Sequence, residues 1–96
     1  MNSNLFENER TYCDIEIKGS TPQTEIWLGD DAGHFVQKEI GILQSSLIPG
    51  NYVVEFGLGT TCYPIHLNED SYYTQNEIEA GPSCERPSVQ FTDSDE

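Results

Sequence analysis

Residues 48–59 read Ile48-Pro49-Gly50-Asn51-Tyr52-Val53-Val54-Glu55-Phe56-Gly57-Leu58-Gly59. Proline at the second and glycine at the third position of Ile48–Asn51 predict a type II turn, because proline presets φ for the first corner and glycine accepts the positive φ of the next. Beyond the turn, Tyr52, Val54, Phe56 and Leu58 fall on one side of an extended chain and Val53 and Glu55 on the other, until Gly57 and Gly59 end the run. Alternation with a period of two is the pattern of a strand that buries one face.

The same period appears on both sides of this stretch. Downstream, Tyr63, Ile65 and Leu67 alternate with Pro64 and His66, and Pro64, which has no N–H to donate, assigns that strand to a sheet edge or a bulge. Asn68-Glu69-Asp70 is a turn, Tyr72 to Glu79 a less regular strand, Gly81-Pro82-Ser83 a break, and Val89 with Phe91 a short closing strand. Upstream, Cys13, Ile15 and Ile17 face one way and Asp14, Glu16 and Lys18 the other. A strand from Gln23 to Gly29 follows, with Thr24, Ile26 and Leu28 on one face and Trp27 anomalously on the nominally outer one. Asp30-Asp31-Ala32-Gly33 has the chemistry of a turn, so that strand pairs as a hairpin with His34 to Glu39. Ile40 to Leu47 fits a helical face about as well as a strand; Gly41 and Ser45-Ser46 weaken the helix, leaving a short strand or irregular extended segment.

About six to eight short strands, turn signals between them and no helix define an all-β fold, a small antiparallel β-sandwich of Greek-key or prealbumin-like type. A parallel α/β sheet would need helical crossovers for which there is no room. The 96 residues hold one domain. Its expected extent is 11–91, between a flexible N-terminal segment, 1–10, and an acidic disordered tail, 92–96.

Four Lys and Arg stand against seventeen Asp and Glu, a net charge of −13. Such a field repels phosphate backbones and anionic lipid, which excludes direct nucleic-acid and membrane-surface binding and favours a basic protein surface as partner. Cys13, Cys62 and Cys84 make an odd, widely spaced set. With no signal-like apolar run, that count predicts a reduced, cytoplasmic setting, and a Cys62–Cys84 bridge stays open. No apolar stretch approaches the roughly 20 residues of a membrane-spanning helix.

The element Leu47-x-Pro49-Gly50-x-Tyr52-x-Val54 resembles the turn-and-strand element of PEGA-type and carboxypeptidase-regulatory-like domains. Across Cys13 to Asn68 the order of strands, loop and hairpin resembles theirs too. Those families are small prealbumin-like β-sandwiches, so the resemblance implies an accessory, non-catalytic module. The heavy acidity and the C-terminal third depart from the family pattern.

Candidate chemistry is sparse. His34 and His66 stand in no metal-ligand or triad spacing, and Cys13 alternates with Ile15 and Ile17 as a small buried hydrophobe. An acidic field raises thiol pKa, which opposes a nucleophilic cysteine. No glycine-rich phosphate loop is present. Asp30, Asp31, Glu69 and Asp70 are the oxygen donors available to Ca²⁺, in turns that do not match a twelve-residue calcium loop. The residues assigned to partner binding are Trp27, Asp30, Asp31, Tyr72 and Tyr73, since large amphipathic rings dominate interface energetics. The sequence is therefore read as a non-catalytic accessory or protein-interaction module that takes no cofactor. Its rivals are an acidic decoy or inhibitor that mimics DNA or another polyanion, and a Ca²⁺-dependent adhesion or carbohydrate-binding domain.

Overall fold

The computed structural model describes residues 12–84. The terminal segments 1–10 and 92–96 and the closing strand around Val89 and Phe91 lie outside the described residues. In chain order the elements are β1 (Cys13–Lys18), β2 (Glu25–Asp30), β3 (Phe35–Ile40), β4 (Ile42–Leu47), β5 (Gly50–Glu55), β6 (Cys62–Leu67), β7 (Ser71–Thr74) and the one-turn helix α1 (Gln75–Glu79). They form an all-β sandwich of two sheets, β4-β1-β7 and β3-β2-β5-β6.

The apolar rows meet between the sheets. Cys13, Ile15, Ile17 and Leu43 from the smaller sheet pack against Ile26, Leu28, Tyr52, Val54, Ile65 and Leu67 from the larger one, and Ile78 of α1 closes one side. Ile17, Ile26, Leu28, Leu43, Val54 and Leu67 are completely buried. The chain changes sheet at Gly41, between β3 and β4, where Gly41 N–H donates to Thr24 O at 2.7 Å and Gly41 O accepts from Gly19 N–H at 2.8 Å.

Four features differ from the sequence expectations. Gly50 has φ 158° and already pairs with Leu67 in the β5–β6 ladder, so 48–51 is not a type II turn but a short link between β4 and β5, which lie in different sheets. β5 ends at Glu55; Phe56 is half-buried against Tyr63, and Leu58 is exposed. The stretch 72–79 is not one strand. β7 gives way to α1 at Thr74, whose hydroxyl accepts from Glu77 N–H at 3.2 Å while Glu77 Oε1 accepts from Thr74 N–H at 2.9 Å, a reciprocal cap that satisfies two otherwise orphaned donors. Finally, β7 pairs with β1 in parallel, the one exception to antiparallel pairing. No crossover helix is needed, because the whole larger sheet lies between β1 and β7 in the sequence.

Pro64 falls where its chemistry places it, on β6 at the edge of the larger sheet. No described helix is long and apolar enough to cross a membrane.

Candidate functional site

The β2–β3 hairpin gathers more of the candidate residues than any other element. Its turn is organised by Asp30. Gly33, at φ 89°, donates its N–H to Asp30 O at 2.8 Å, and Asp30 N–H donates to His34 O at 2.9 Å. Asp30 Oδ1 accepts from Ala32 N–H at 2.9 Å and His34 N–H at 2.8 Å, and Oδ2 lies 3.3 Å from His34 Nδ1. Partial burial alone would push the Asp30 carboxyl up. The hydrogen bonds from His34 and Ala32, with the charge His34 carries when protonated, outweigh it and hold the carboxyl below its ordinary range. Asp31 beside it is exposed.

The hairpin register then builds an aromatic patch. Trp27 pairs with Lys38, and the register shifts by one residue between Leu28 and Gly29, so that Gly29 pairs with Phe35. This bulge carries Phe35 onto the outward face that holds Trp27, while Val36 packs against the core. The Phe35 ring meets Trp27 edge-on at 5.9 Å, and Lys38 Nζ sits 5.4 Å from the Trp27 ring centroid. Trp27 Nε1 donates to Glu25 Oε1 at 3.0 Å. Phe35 stays 49 % exposed, and Trp27, like Cys84, packs against the buried pair Val53 and Cys62. The anomalous Trp27 is thus half-buried on the outer face of the larger sheet.

The cluster it packs on is a second apolar layer. In the paired row Trp27–Glu55–Cys62, Glu55 is completely buried although alternation puts it on the solvent side. Its Oε1 accepts from Gly59 N–H at 2.8 Å. Cys62 and Cys84 are joined by a disulfide, and Cys84 N–H donates to Cys62 O at 2.7 Å. Cys13 remains a buried thiol among the core isoleucines.

The other candidates are dispersed. Tyr72, 67 % exposed, lies on the outer face of the smaller sheet in the row Gln44–Glu16–Tyr72. It borders a shallow polar groove of about 390 Å³, where Ser46 Oγ donates to Asp14 Oδ1 at 2.6 Å and Gln44 Nε2 to Glu16 Oε1 at 2.9 Å. Tyr73 points the opposite way and packs on the core. Tyr72 and Tyr73 therefore do not join Trp27 in one surface. Glu69 and Asp70 share an end of the sandwich with Asp30 and Asp31, since Leu67 pairs with Gly50 and Asp30 with Tyr52. Asp70 Oδ1 accepts from Asp14 N–H at 2.9 Å, and no described group of three or more His, Cys, Asp or Glu could hold a metal ion. His34 and His66 are both exposed, and His66 Nδ1 lies 2.8 Å from Asn51 Oδ1.

Sequence reasoning passed over Phe35 and Lys38 as site residues. Neither carried a local signal: with Asp30–Gly33 as the turn, Val36 rather than Lys38 falls opposite Trp27, and strict alternation groups Phe35 with Gln37 and Glu39; only the observed register and its bulge bring both to Trp27. No family model, no curated protein and no solved structure matches this chain.

Proposed function

We propose that the domain is a non-catalytic interaction module that docks a protein partner through the outer face of the β2–β3 hairpin. The observation that carries this reading is the Trp27–Phe35 pair. Two large rings are fixed on a hydrogen-bonded ladder, Phe35 is left half exposed, and Trp27 is hydrogen-bonded to the Glu25 carboxylate. Rigid aromatic rings give contact area at little entropic cost, which is why they anchor interfaces. The net charge of −13 favours a partner with an apolar centre and a basic surround. The likeness of residues 47–54 to PEGA-type domains supports an accessory role.

The Cys62–Cys84 bond changes the compartment we favour. A disulfide between Cys84 and the edge strand β6 persists where thiols oxidise, so such a setting is favoured over the cytoplasm.

The test uses a photo-reactive phenylalanine analogue at position 35, and another at 72, each in the full chain incubated with a host extract. Cross-links to one protein from position 35, lost at high salt and competed by unlabelled wild type but not by Phe35→Ser, are expected. Cross-linking from position 72 alone, or full competition by a folded Phe35→Ser variant, overturns the reading.

A further inference from the structure

The larger sheet is covered on both faces, but by different means. Its inner face packs on the main core. On its outer face, among the described residues, the buried apolar cluster is the small one of Val53 and Cys62 with Trp27 and Cys84 packed against it. Cys84 reaches that cluster because the chain leaving α1 runs through Ala80–Ser83, all exposed, and crosses the edge strand β6. At the helix end this strap is held by Ala80 N–H to Asn76 O at 3.0 Å and Gly81 N–H to Ile78 O at 3.1 Å. At the other end it is held by Cys84 N–H to Cys62 O and by the disulfide. Among the described residues, Cys84 is the strap's one member of an apolar cluster, and no residue of the main core belongs to the strap.

We propose that the Cys62–Cys84 disulfide is a reversible latch: its reduction lifts the strap off the larger sheet and exposes more of Val53 and Trp27. Cys84 is half-buried and Cys62 only 3 % exposed, so the thiolate of a dithiol reductant attacks Cys84 Sγ and Cys62 leaves as the thiolate. The second thiol of the reductant then displaces Cys84. The S–S bond of the protein breaks, two S–H bonds form on Cys62 and Cys84, and the dithiol leaves as its disulfide with the two electrons balanced. The sandwich survives because the core between the sheets takes no contribution from the strap. Resting on the docking reading above, the consequence for function is that the apolar surface around Trp27 and Phe35 is wider in the reduced state.

Trp27 is the only tryptophan, so its emission reports the strap directly. The full chain is titrated with dithiothreitol under native conditions and followed by intact mass, far-ultraviolet circular dichroism, Trp emission and acrylamide quenching. The expected result is a gain of two hydrogens with the β spectrum kept, a red shift of the emission and stronger quenching. Cys84→Ser should show the red-shifted, strongly quenched state without reductant and ignore the dithiol. Reduction that leaves emission and quenching unchanged overturns the latch, and so does loss of the β spectrum on reduction, which would make the bond a requirement of the fold. The readout needs no partner: Phe35→Ser, which tests docking, should leave the redox response intact, so the two readings fail separately.

Discussion

Gly41 is where the sandwich turns its corner, and replacing it by alanine tests how tightly that corner is built. Its φ is 85°, and a Cβ there would lie 2.9 Å from the carbonyl oxygen and 3.4 Å from the carbonyl carbon of Pro22. Gly59 gives an internal control: its φ is also 85°, yet a Cβ there meets nothing within 4 Å. Both substitutions carry the left-handed penalty of roughly 1–2 kcal/mol, and both gain equally from the stiffer unfolded chain. Those terms cancel in the comparison. What remains for Gly41→Ala is displacement of the Pro22 backbone, held against it by the bonds to Gly19 and Thr24, at roughly 1–3 kcal/mol. At roughly 4–8 °C per kcal/mol for a domain of this size, Gly41→Ala should melt roughly 4–24 °C below Gly59→Ala, about 12 °C at the middle of both ranges. Thermal unfolding followed by circular dichroism at neutral pH, with the disulfide intact in both variants, measures the difference. Equal melting temperatures would mean that the loop carrying Pro22 yields freely and that the corner is not locked.

Two further perturbations concern protons. Asp30 has its carboxyl held below the ordinary range in the fold, so its contribution is complete above the unfolded value and is lost as pH falls from about 4. Asp30→Asn should therefore flatten the acid limb of a melting-temperature profile; an acid limb as steep as that of wild type would show that the turn does not depend on this charge. Tyr52 is shifted upward, first by burial and then by the negative charge of Asp30, so its contribution is complete below the unfolded value near 10 and drains as pH rises through the folded one. Tyr52→Phe also loses the hydroxyl that donates to Ile48 O at 2.6 Å, about 1 kcal/mol at neutral pH. Its melting temperature should start lower and fall less steeply in alkali, and parallel alkaline limbs would refute the assignment.

How much of this was legible in the sequence depends on how many faces of each strand are covered. β1 is legible because Cys13, Ile15 and Ile17 meet the core while Asp14 and Lys18 meet water. β5 is only half legible: Tyr52 and Val54 face the core as their period demands, but Val53 and Glu55 are buried too. The second cover is assembled from residues far off in sequence, Trp27 and Cys84, and local alternation carries no trace of it. The parallel β1–β7 pair is silent for the same reason. The helix is a different case. Thr74-Gln75-Asn76-Glu77 has the spacing of a reciprocal helix cap, a signal present in the sequence that the strand reading of 72–79 passed over. Of the candidate site, Trp27, Asp30 and Asp31 were legible as a ring and a turn on one hairpin, whereas their grouping with Phe35 depends on the bulge.

That bulge bears on function as well as on legibility. With an unbroken register Gly29 would pair with Val36, and Phe35 would pair with Asp30 on the inward face. The observed shift instead puts the smaller Val36 against the core and the larger Phe35 outside. Full burial of a side chain of the Val-to-Phe class stabilises a fold by roughly 1.5–3 kcal/mol, so a sandwich shaped by its core alone would keep the ring inside and the isopropyl group out. Here the arrangement is reversed, and the exposed ring lies against the indole of Trp27 rather than alone on the surface. Isolated exposed apolar side chains need no explanation. A bulge that sets two rings side by side on a rigid ladder, at the cost of core burial, is the feature on which the proposed docking surface rests.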